Sequence, residues 1–206
     1  MTLPTSGSQT ELQAVNQILA SVGQAPVTTL EQTNPDVAIA YNTLLEVSRE
    51  IQAEGWTFNR ESNYPIPTNI DNEIIIPDNI IQMDLCKLHV SNLNKDAIRR
   101  DGRLYDRYNH TYKWDPSPVY VDIVWLFNWE DLPFPHRDFI TARAATIVSS
   151  RIVGDKTQYS ILSQKEALSR ATLMEYECTQ GDYSMFGFPE GNNAYTSYQP
   201  FHALRR

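Results

Sequence analysis

The sequence predicts an α+β fold: an antiparallel helical bundle built from both chain ends, with a β-rich, sandwich-like domain inserted between them. Two observations carry this. Apolar residues recur at helical spacing near both ends, and between them the pattern changes to short extended runs punctuated by Pro65, Pro67, Pro77, Pro116 and Pro118. A chain of 206 residues can bury a core without a disulfide or metal staple. The expected units are a helical pair over 1–55, the β-rich insertion over 56–133, a second helical pair over 134–180, and an extended arm over 181–206.

The first helix is expected to start at Ser8 or Thr10, because Ser8 with Glu11 and Thr10 with Gln13 both have capping-box spacing, and to end at Gly23. Leu12, Val15, Ile18, Leu19 and Val22 fall within an arc of roughly 120° at helical pitch, so one face is buried. Asn34-Pro35-Asp36 opens the second helix with a cap, a first-turn proline and a carboxylate at the positive dipole end, and Gly55 closes it. The link from Gln24 to Thr33 is short enough to make the two helices neighbours.

In the insertion, Ile74 to Ile76, Ile80 to Leu88 and Val119 to Phe127 are strand candidates. Asp101-Gly102, between Ile98 to Arg100 and Arg103 to Tyr105, has the residues that a type I′ hairpin turn favours. The third helix runs from about Pro135 to Val153. It is apolar nearly all round, with Arg137, Arg143 and Arg151 left for water, and is therefore expected to pack on several sides. The fourth begins near Asp155 to Thr157 and continues to about Gln180, with Ile161, Leu162, Leu168, Leu173 and Tyr176 on an arc of roughly 140°. The final segment holds Tyr183, Phe186, Phe188, Tyr195, Tyr198 and Phe201 on a stretch with no period of its own. Such aromatics must bury against something else, either their own domain or a neighbouring subunit, and they are the candidate interface anchors.

Composition excludes several function classes. A net charge of −8 argues against general nucleic-acid binding, which depends on Lys and Arg displacing counterions from phosphates. The charge is uneven: −5 over residues 1–55, −4 over 56–133 and +1 over 134–206. Neither G-x-x-x-x-G-K-[ST] nor G-x-G-x-x-G occurs, so no standard loop cradles a nucleotide. His89, His110, His136 and His202 are scattered, and no paired Cys/His spacing suggests a metal. Cys86 and Cys178 are expected to be free thiols, Cys178 as a packed small hydrophobe. With no charged-then-apolar leader at Met1 to Leu12, folding in a reducing cytoplasm is expected.

Glycoside hydrolysis is harder to exclude, since it needs only two suitably spaced carboxylates. The candidates are Asp101 with Asp106 and Glu130 with Asp131. Turn formation at Asp101, pairing of Asp106 with Arg103 or Arg107, and a solvated loop at Glu130-Asp131 explain them without catalysis. Lys95, Arg99, Arg100, Arg103 and Arg107 alternate with Asp96, Asp101 and Asp106, as on a solvated hairpin.

Longer wording adds to this reading. The segment from Glu11 to Glu31, ELQAVNQILASVGQAPVTTLE, followed by Glu54-Gly-Trp-Thr-Phe-Asn59, resembles the start of the tail tubular protein A family of short-tailed bacteriophages. Asp131-Leu-Pro-Phe-Pro135, Met174-Glu-Tyr-Glu177 and Gly181-Asp-Tyr183 look like that family's second half, and the similarity is weak over roughly 60–132. The resemblance implies a structural virion protein assembled in the host cytoplasm, with neither cofactor nor small-molecule substrate. It implies a twelve-membered ring between the portal protein and the nozzle of tail tubular protein B, with a tail fibre protein as a further contact. Double-stranded DNA would pass through the ring without sequence-specific binding. An all-round apolar third helix fits a ring packed side by side, the aromatic arm fits a reach to a neighbour, and acidic bias fits a conduit. The alternative is a tail-associated glycoside hydrolase using carboxylates of the insertion.

Overall fold

The computed structural model describes residues 9–31, 34–86, 89, 92, 95–115 and 118–181. The fold is α+β. In chain order it contains α1 (Glu11–Ser21), α2 (Pro35–Gln52), β1 (Arg60–Ile66), β2 (Ile80–Leu85), β3 (Ala97–Arg100), β4 (Arg103–Asp106), β5 (Val119–Trp125), a 3-10 turn (Trp129–Asp131), α3 (Phe134–Ile152) and α4 (Lys156–Gln180). No helix among the described residues is long and apolar enough to cross a membrane.

Local chemistry sets the helix ends. Thr10 and Gln13 form a reciprocal capping box on α1, Asn34 accepts from Asp36 N to cap α2, and Asp155 accepts from Thr157 N and Gln158 N to cap α4. Asn16 then fixes the α1–α2 link, donating to Val27 O at 2.9 Å and accepting from Val27 N at 2.8 Å.

Helix α3 is the centre of the bundle and packs against α1, α2 and α4 of its own chain. Ala14, Val15, Ile18 and Leu19 of α1, Val37, Ala40, Leu44, Val47 and Ile51 of α2, and Phe139, Ile140, Ala144 and Val148 of α3 share one apolar core with Leu173 of α4. The all-round apolarity of α3 is therefore accounted for by packing inside the subunit, with Phe134 and Val153 at its two ends left exposed. Arg137, expected to face water, is buried and donates to Gln9 O at 3.2 Å. Arg143 is half-buried between Glu50 at 2.8 Å and Glu166 at 3.2 Å, and Arg151 is exposed.

Helix α4 differs most from expectation. Leu173 is fully buried and Leu162 and Tyr176 are half-buried, but Ile161 is 63% and Leu168 69% exposed. The predicted apolar arc is split, because the face that meets α3 also includes Ser169 and Glu177. Cys178 is likewise exposed, not packed.

The strands form two antiparallel sheets, ordered β1-β5-β2 and β3-β4. Val119, Val121 and Ile123 of the central strand β5 share a second core with Ile66, Ile74, Ile76, Ile80, Leu85, Leu104 and Trp114. Asp101 and Gly102 both take positive φ, 52° and 69°, as a type I′ turn requires. Strand β1 was not expected: six of its seven residues are exposed, so no alternation marks it. It forms by pairing with β5 as an edge strand, where Pro65 costs no ladder bond and an irregularity between Glu61 and Tyr64 blunts the edge. Ile74 and Ile76 are buried around exposed Ile75, yet this run makes only isolated bridges and no ladder strand.

Candidate functional site

The most elaborately built part of the molecule is the junction where the chain passes from α2 into the sheet and returns to α3. Gly55 turns the chain with φ of +76°, a backbone that favours glycine, and a Cβ there would press on Val124 Cγ2 at 3.3 Å where sheet and helix end approach each other. Trp56 then buries its ring and donates from Nε1 to Ile51 O at 2.7 Å, while its backbone N donates to Asn59 Oδ1 at 2.8 Å. Asn59, fully buried, donates from Nδ2 to Gln52 O at 2.8 Å and Trp125 O at 2.9 Å. Gln52 closes the return crossing: Phe127 N donates to its Oε1 at 2.8 Å and its Nε2 donates to Phe127 O at 3.2 Å. Buried amides joining two segments this way satisfy backbone groups that would otherwise be stranded.

The end of α4 is tied to the same place. Glu177, 5% exposed, accepts from Thr57 N at 2.6 Å and from Thr57 Oγ1 at 3.0 Å. Two turns earlier, Arg170 makes a two-pronged contact with Glu54 at 2.7 and 3.2 Å and lies over the rings of Trp56 and Phe139. Beneath them His136 is fully buried, edge-on to Trp56 at 5.1 Å and to Phe58 at 4.4 Å between ring centroids. Burial, and secondarily the Arg170 charge, lowers its pKa to about 4, so the ring is neutral at pH 7. Neither ring nitrogen has a hydrogen-bond partner among the described residues. These groups hold elements together. The buried carboxylate is engaged by Thr57, and the imidazole is too weak a base at neutral pH for general base work.

The predicted site residues lie elsewhere. Tyr183, Phe186, Phe188, Tyr195, Tyr198 and Phe201 are outside the described residues. Asp101 accepts from Tyr112 OH at 3.0 Å at its hairpin turn. Asp106 is buried and, contrary to expectation, serves neither Arg103 nor Arg107; it accepts from Tyr108 N, Asn109 N and Asn109 Nδ2 to shape the following turn. Arg103 pairs instead with Glu73 and Arg107 with Asp96. Glu130 and Asp131 are exposed on the 3-10 turn.

Two clefts of about 360 and 330 Å³ flank the junction: one between α2, α3 and α4 around Arg143, Glu166 and Arg170, the other against the sheet around Arg60, Asp84 and Asp122. None of the four candidate catalytic carboxylates lines either. No group of three or more His, Cys, Asp or Glu among the described residues could hold a metal ion.

Thr57, Asn59, Gln52 and Glu177 were missed by sequence reasoning. The available signal was polar residues on faces otherwise given to the core: Gln52 beside Ile51 on α2, and Glu177 beside Leu173 and Tyr176 on α4. The two stretches of wording at Glu54–Asn59 and Met174–Glu177, more than a hundred residues apart in sequence, meet here.

Comparison with known proteins agrees. The chain is similar to tail tubular protein A of Klebsiella phage KP34, 27% identical over 170 residues that cover 81% of this chain and 86% of that protein. The family model for tail tubular proteins matches residues 12–183, so it spans the bundle, the sheet and the junction between them, and the chain belongs to the tail tubular protein family, as a structural component of the phage tail.

Proposed function

We propose that this protein is a head-to-tail adaptor: twelve copies form a ring between the portal and the nozzle built by tail tubular protein B, and the genome leaves through the bore. The observation that carries this reading is the match to the tail tubular family along residues 12–183, with a relative named tail tubular protein A. In this reading 1–55 with 134–180 form one domain, 56–133 the inserted domain, and 181–206 a docking arm, and assembly takes place in the host cytoplasm. The acidic balance supports a conduit role. A wall of copies each carrying −8 repels the phosphate backbone over a screening length of about 8 Å, so DNA would slide without sticking.

The test is the mass of the complex formed with the portal of the same phage. Twelve copies on one portal ring are expected; failure to bind portal, with the nozzle protein also present, would remove the adaptor reading. The hydrolase alternative gains no support from Asp101, Asp106, Glu130 or Asp131, which are engaged in turns or exposed. The purified protein is expected to release no reducing ends from capsular polysaccharide.

A further inference from the structure

We infer that the outer face of α4 is the seat of the 182–206 segment of a second copy of this chain. The inference rests on the multi-copy reading above and adds to it the location of the contact. Of the sixteen exposed positions on α4, only Lys156, Lys165 and Glu175 are charged. A solvated surface ordinarily carries a larger share of charge, about 25–35%. Ile161, Leu168 and Met174 stand on this face at 63%, 69% and 43% exposure, separated by exposed Ala167 and Ala171. Large apolar side chains alternating with small ones give ridges and hollows into which rings can fit.

The occupant is argued from length, position and charge. The described chain stops at Gly181, immediately after α4, and 25 residues follow. They contain six Tyr and Phe, and Asp182 and Glu190 balance Arg205 and Arg206, so the segment is formally neutral and matches a face that offers almost no charge. Extended at about 3.3 Å per residue, the segment can span the roughly 37 Å length of α4 twice over. If each copy gives its segment to the next, giver and receiver surfaces differ; such a head-to-tail contact builds a ring when its rotation closes. A segment folded back on its own helix would cover the same face without joining copies.

The test uses the full chain carrying Cys178→Ser. One batch bears Leu168→Cys and a second, mass-tagged batch bears Tyr195→Cys, Tyr198→Cys or Phe201→Cys. After mixing, assembly and oxidation, at least one pair is expected to yield a covalent dimer of one chain from each batch. Leu168→Glu is expected to weaken self-association at least about thirtyfold, as loss of an interface hot spot does, with the far-UV spectrum and thermal midpoint of the free chain unchanged. Both cysteines placed in one chain and closing within that chain would overturn the proposal. Association with no cross-link from any of the three pairs would also overturn it, while leaving the multi-copy reading intact. A chain that stays single both in solution and when mixed with its portal would remove both.

Discussion

Glu177 and Thr57, 120 residues apart in sequence, are joined by two hydrogen bonds at 2.6 and 3.0 Å, so the last turns of α4 are fixed to the point where the chain enters the sheet. Glu177→Ala would leave a half-buried backbone N–H and a hydroxyl of Thr57 without their acceptor and is expected to cost about 1–2 kcal/mol. Glu177→Gln, which keeps one acceptor oxygen, is expected to cost about half as much. Urea unfolding of the three proteins checks this, and an alanine variant as stable as the parent would show that the pair is not formed.

His136 gives the protein a specific acid sensitivity. The folded state favours its neutral ring, so as pH falls the unfolded chain takes up the proton first. This contribution to stability is full above about pH 6.5, declines between 6.5 and 4, and is level below 4, for a total of about 3 kcal/mol. His136→Phe, in surroundings already aromatic, is expected to flatten the stability profile over that window relative to the parent. Parallel profiles between pH 6.5 and 4 would contradict the assigned burial.

Gly55 and Gly102 both have positive φ, but a Cβ at Gly102 would meet nothing within 4 Å. Gly102→Ala is expected to cost about 1 kcal/mol from left-handed backbone alone. Gly55→Ala should cost about 2 kcal/mol, since Val124 must also give way. Equal losses in denaturant melts would mean that sheet and helix end are further apart than described.

The two thiols should differ sharply in reactivity. Cys178 is exposed on α4 and Cys86 is 4% exposed. Dilute native protein is expected to release one equivalent of thionitrobenzoate promptly and the second only on unfolding. Two prompt equivalents would place Cys86 at the surface.

Helix ends and the hairpin were legible because their chemistry is local: Thr10 with Gln13, Asn34, Asp155 and Asp101-Gly102 act on backbone within three residues. Strand β1 was not, since its identity comes from β5, which lies about sixty residues later. Period located an apolar arc on α4 but could not say which part of it meets α3; Leu173 goes in and Leu168 stays out. The junction was visible only as shared wording, because Gln52, Asn59 and Glu177 are polar groups whose burial becomes favourable only once distant partners arrive. The candidate anchors from Tyr183 to Phe201 were read from composition, which states that a surface is needed but not where it lies.

Arg60 pairs with Val124 across the first rungs of the sheet, and Asn59 and Gln52 bind the outgoing and returning chain to each other. The excursion that begins at residue 60 therefore comes home to the spot it left. Related phages could lengthen, shorten or exchange everything between those two crossings while the helices kept their places, much as a tool head is changed on a fixed handle. A graft spanning 61–123 from a distant relative should be accepted wherever Gly55, Asn59 and Gln52 are retained.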